Sequence, residues 1–72
     1  MKLYYYPETD SLYVEFQSRP AADTREIAED VRLDLDEQGR PVGLDIDHAS
    51  ATLDLERLET AGLPVKTTAM SA

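Results

Sequence analysis

Residues 30–50, Asp-Val-Arg-Leu-Asp-Leu-Asp-Glu-Gln-Gly-Arg-Pro-Val-Gly-Leu-Asp-Ile-Asp-His-Ala-Ser, "DVRLDLDEQGRPVGLDIDHAS", admit two readings. Val31, Leu33 and Leu35 alternate with Arg32, Asp34 and Asp36. Val42, Leu44 and Ile46 alternate with Gly43, Asp45 and Asp47. Period-2 alternation with one polar face describes an antiparallel sheet wetted on one side. "EQGR" turns the chain, with Gly39 free to take a positive φ. The same stretch also fits part of a calcium-binding frame. Counted from Asp34, positions one, three and five are Asp34, Asp36 and Gln38, Gly39 holds the sharp turn and Asp45 is twelfth. That frame needs helices on both sides, a long bidentate Glu at its end and a third charged ligand. Here the flanks are strand-like, the last acid is Asp and Gln38 is neutral. The hairpin is the better reading. Asp34 and Asp36 then lie about 7 Å apart along one strand. They and Asp45 are only weak candidates for holding a divalent ion, and a solvated acidic face is the default.

Outward from this hairpin the alternation recurs. "KLYYY" (2–6) is rich in β-favouring aromatics. "PETDS" (7–11) carries turn chemistry in Pro7, Asp10 and Ser11. "SLYVEF" (11–16) places Leu12, Val14 and Phe16 opposite Tyr13 and Glu15, so residues 2–16 read as a second hairpin. "QSRPAAD" (17–23) is a loop because Pro20 would interrupt a ladder, and "TREIA" (24–28) is a short strand at an edge. After His48 the period changes. Ser50 or Asp54 is placed to cap a short helix through "LERLETA" (55–61), ended by Gly62 and Pro64.

The predicted fold is α+β: a four- to five-stranded antiparallel sheet built from two β-hairpins with one short C-terminal helix. Residues 1–64 form a single small β-rich domain, and residues 65–72 a frayed, disordered tail. The expected core is Leu3, Tyr5, Leu12, Val14, Phe16, Val31, Leu33, Leu35, Val42, Leu44 and Ile46. Eleven side chains on one sheet face exceed what a short helix covers. A homodimer burying the remainder is therefore expected.

Composition narrows the function. Seventy-two residues make one domain with a thin core, and the chain has no cysteine for disulfides or thiolate metal sites. Fifteen acids against seven Lys and Arg give a formal charge of −8, which repels phosphate backbones and favours basic protein partners. No nucleic-acid partner is expected. No stretch approaches the roughly 20 apolar residues of a membrane span, and "MKLYYYPE" lacks the apolar centre of a signal peptide. No membrane association and a cytoplasmic location are the corresponding expectations. His48 is the sole histidine, and no activated Ser accompanies it in a triad pattern. With no catalytic constellation and no cofactor motif, the chain reads as non-enzymatic. Tyr4, Tyr6 and Tyr13 share the face of the first hairpin opposite Leu3 and Tyr5. They serve either as cross-strand aromatic pairs or as a partner-binding surface.

Taken together, two blocks resemble a family of small prokaryotic proteins, domain of unknown function 2283. Tyr6, Pro7, Glu8, Asp10, Leu12 and Tyr13 match its first block. Asp34, Asp36, Gly39, Val42, Gly43, Ile46, Ala49 and Ser50 match its second, so the resemblance covers residues 2–50. The family that the chain resembles has no assigned catalytic activity. The resemblance implies an antitoxin-like role in which the chain binds a small basic protein, although the chain carries no DNA-binding motif. The alternative function is weak divalent-ion or small-ligand binding on the acidic hairpin face.

Overall fold

The computed structural model describes residues 1–64. The expected tail at 65–72 lies outside the described residues. Five strands form: β1 (Lys2–Tyr6), β2 (Ser11–Glu15), β3 (Asp23–Ala28), β4 (Val31–Leu35) and β5 (Pro41–Ile46). One short helix, α1 (Ala49–Thr52), follows. All pairings are antiparallel and the spatial order is β1-β2-β5-β4-β3. The two hairpins, β1–β2 and β4–β5, are joined along β2 and β5, and β3 lies at an edge as its sequence indicates.

The register sorts the residues by face. Leu3, Val14, Leu44 and Leu33 form one row across the sheet. Tyr5, Leu12, Ile46 and Val31 form another, two residues along each strand. These are the apolar rows. Between them on the other face run Tyr4, Tyr13, Asp45, Arg32 and Glu26. Two irregularities break the ladders. Asp34 pairs with Gly43 but Leu35 with Pro41, so Val42 is an extra residue in β5. Likewise Glu26 pairs with Arg32 but Ala28 with Val31, which leaves Ile27 extra in β3.

The turns are made by residues that tolerate left-handed backbone. Asp10, Asp30 and His48 adopt φ of 52, 64 and 52°, and Gly39 adopts 78°. Asn, Asp and His are the non-glycine residues that enter this region most readily.

Two expectations are corrected. The first concerns the core. Leu35, Val42, Ile46 and Ala49 are buried, while Leu12, Val14, Phe16, Val31, Leu33 and Leu44 are half-buried. Leu3 and Tyr5 stand 49% and 44% exposed. β1 is an edge strand in a single layer, so its inward residues have neighbours on one flank only. The second concerns the helix. It comprises only Ala49–Thr52, and Leu53 is already extended (φ −122°, ψ 151°). "LERLETA" has no helical turn. A short helix needs tertiary packing of an apolar face to persist. Leu55 and Leu58 are exposed and offer no such packing. Neither Ser50 nor Asp54 is the N-cap; His48 occupies that position without a side-chain cap bond.

Candidate functional site

Asp36 settles the choice between hairpin and calcium loop. It is the one buried charged residue among those described. Its Oδ1 accepts the backbone N–H of Gln38 and of Arg40, both at 2.9 Å, while Gly39 N–H donates to its carbonyl at 3.0 Å. Its Oδ2 takes Arg40 Nε at 3.0 Å and Arg19 Nη1 at 3.3 Å. The backbone donors of Arg40 and Gln38, with the Arg40 guanidinium, hold this carboxyl below the usual range against its burial. Asp36 thus organises the β4–β5 turn.

Asp34 and Asp45 lie on the polar sheet face, separately engaged. Asp34 accepts the Tyr13 hydroxyl at 2.9 Å and the Thr24 hydroxyl at 2.7 Å. Arg32 Nη2 reaches Asp45 at 2.9 Å and Asp47 at 2.8 Å, bridging two acids of the same chain segment. That contact lowers the Asp47 carboxyl and raises the Arg32 guanidinium, Asp47 being the larger influence. The three weak metal candidates are therefore not brought together. Among the described residues no group of three His, Cys, Asp or Glu side chains is arranged to hold a metal.

The tyrosines divide. Tyr4 and Tyr6 are exposed on β1, whereas Tyr13 is half-buried. The Tyr13 side chain crosses directly over Gly43, where a Cβ would overlap its hydroxyl and ring. Burial, then the hydrogen bond to Asp34, pushes the Tyr13 phenol up to about 12. Gly43 is the contact that sequence reasoning left unassigned. A glycine inside an alternating strand is itself the signal for a close approach.

The turn at Asp10 forms a second cluster. Asp10 accepts the Tyr5 hydroxyl at 2.7 Å, the Ser50 hydroxyl at 2.7 Å and the Ser50 N–H at 3.1 Å, and its carbonyl takes Ala49 N–H at 2.9 Å. The Ser50 hydroxyl and then Tyr5 hold its carboxyl below the ordinary range. Asp10 thereby does for α1 what a local cap does elsewhere, satisfying amides that a helix start leaves without partners. His48 Nδ1 lies 3.0 Å from Asp30, not beside the Ser50 hydroxyl, so no relay from histidine to serine forms.

An open hollow of about 390 Å³ is lined by residues that include Asp23, Arg25, Asp36 and Glu37. All five arginines are paired within the chain: Arg19 and Arg40 with Asp36, Arg25 with Asp23, Arg32 with Asp45 and Asp47, and Arg57 with Glu59. Among the described residues no helix is long and apolar enough to cross a membrane.

A family model described as a protein of unknown function, DUF2283, matches residues 2–50, which include every strand and both carboxylate clusters. Neither a curated protein nor a solved structure matches the chain.

Proposed function

This chain belongs to the DUF2283 family of proteins of unknown function, and from that premise we propose that it is a non-enzymatic protein-binding module that embraces a small basic partner in antitoxin-like fashion. The observation that carries this reading is the single-layer sheet. A four-residue helix is too short to cover two apolar rows, and Leu3 and Tyr5 remain nearly half-exposed. Contiguous apolar surface rimmed by polar residues marks an interaction site. The sign of the partner follows from the arginines. Each is already neutralised within the chain, so the charge left unpaired is negative and favours encounter with a basic surface.

Weak divalent-ion or small-ligand binding has less support, because Asp34, Asp36 and Asp45 each have hydrogen-bonding partners in separate places. The proposal is tested by co-expressing the full chain with the small basic proteins encoded beside it. The expected result is a stable complex that added salt loosens. Leu33→Lys, on the apolar face, should weaken that complex while leaving the far-UV circular dichroism spectrum unchanged. Failure of every such neighbour to bind refutes it.

A further inference from the structure

The two edges of the sheet are not equivalent. β3 is broken at Ile27 and carries Asp23, Arg25 and Glu26. Bulges and edge charges are the devices that prevent strands from adding to a sheet. β1 has neither a bulge nor an acid: its five residues, Lys2–Tyr6, pair with β2 in unbroken register, and its only charge is Lys2.

The backbone of β1 has a defined outward set of groups. Phe16 N–H donates to the Val42 carbonyl at 2.8 Å. Along an antiparallel strand the N–H and C=O of one residue point to one neighbour, and those of the next residue point to the other. Residues 12, 14 and 16 therefore address β5, and residues 11, 13 and 15 address β1. The β1 partners of that second set are Tyr6, Tyr4 and Lys2. The N–H and C=O of Leu3 and Tyr5 consequently face away from the sheet.

We propose that two copies of the chain pair β1 to β1, antiparallel about a two-fold axis at Tyr4, with Leu3 opposite the partner's Tyr5, giving one continuous ten-stranded sheet. This register uses the outward N–H and C=O of both residues in both copies, which makes four hydrogen bonds. A slip of two residues one way sets Leu3 against Pro7, which has no N–H to give. A slip the other way pairs Leu3 with itself and leaves Tyr5 against the first residue. A slip of one residue would set apolar against polar faces. In the chosen register Tyr4 meets its own copy and Lys2 lies opposite the partner's Tyr6, a favourable cation–aromatic arrangement. Each copy carries net charge −8, and β1 is the acid-free edge along which two such chains approach with least repulsion. The apolar faces then lie on one side of the joined sheet. The basic-partner reading is not required for this pairing, although the dimer would present two docking faces to such a partner.

The test uses the purified full chain alone, with no partner present. Sedimentation equilibrium should show a dimer that tightens with added salt as the like charges are screened. Hydrogen exchange should show concentration-dependent protection of the Leu3 and Tyr5 amides, while the Lys2, Tyr4 and Tyr6 amides are protected at every concentration. Leu3→Pro removes an outward N–H without touching the β1–β2 ladder and should weaken the dimer by roughly tenfold or more. Tyr4→Lys, which sets like charges directly opposite one another, should do the same with the backbone intact. A chain that stays monomeric overturns the proposal. So does a dimer whose Leu3 and Tyr5 amides exchange freely, or one that survives both substitutions.

Discussion

Gly43→Ala is the sharpest probe of how the polar face is built. Two effects oppose each other. Alanine restricts the unfolded chain more than glycine does, a gain of about 0.4–1 kcal/mol where the native conformation accepts it. Yet a Cβ at residue 43 falls on the Tyr13 hydroxyl and ring, so Tyr13 must leave its place. Leaving costs the hydrogen bond to Asp34, about 1–2 kcal/mol for a half-buried bond to a carboxylate. An off-rotamer ring adds about 0.5–1.5 kcal/mol. The clash wins, and a net loss of about 1–3 kcal/mol is expected, a large fraction of the roughly 3–5 kcal/mol that a core this small supplies. The assay is urea unfolding followed by circular dichroism, arranged as a double-mutant cycle with Tyr13→Thr. Once the ring is gone the same Gly43→Ala substitution should turn mildly stabilising. If it costs as much in the Tyr13→Thr background as in the parent chain, the packing of Tyr13 over Gly43 is not what demands a glycine.

The Tyr13 phenol should ionise well above the ordinary tyrosine value. Ultraviolet absorbance should show one phenol ionising near 12, lost in Tyr13→Phe, and stability should decline as pH rises above 10, the ordinary tyrosine value. Asp10, Asp36 and Asp47 have lowered folded-state values, so their contribution is complete above the ordinary carboxylate value of 3.8 and is lost as pH falls below it. Asp36→Asn should lower the melting temperature at neutral pH and flatten this acid limb, as measured by thermal unfolding from acid to neutral pH. Asp10→Ala should release α1, seen as loss of amide protection at Ala49 and Ser50 with the strands intact. Calcium added to the chain should leave its melting temperature unchanged, because the candidate acids are already engaged; a rise would restore the ion-binding reading.

The strands were legible because alternation is a local property. Each run announces which residues share a face, and Gly39, Asp10 and Pro7 mark the turns between runs. The central pairing of β2 with β5 was not legible. It sets Leu12 beside Ile46 and Val14 beside Leu44, and nothing within either run names a partner so distant in sequence. The helix misleads for a related reason. Leucines at 55 and 58 and the glycine at 62 have the spacing of a helix and its stop, but a spacing becomes a helix only when something packs on it. Among the candidate site residues, Asp34, Asp36 and Asp45 were identifiable as a set by composition. Their division into three separate engagements depends on Tyr13, Arg19 and Arg32, which arrive from other strands and loops. The Asp10 cluster was invisible for the same reason, since its donors Tyr5 and Ser50 lie at opposite ends of the sheet sequence.

The seam between β2 and β5 also governs when the protein can exist. A ribosome that has released residues 1–40 holds two separate hairpins, β1–β2 and β3–β4, and an isolated two-stranded hairpin is marginal in water. The middle of the sheet closes only when Leu44 and Ile46 emerge, and the Asp10 hook on Ser50 closes later still. β5 lies between the two hairpins, so the sheet becomes one continuous unit only once that strand is made.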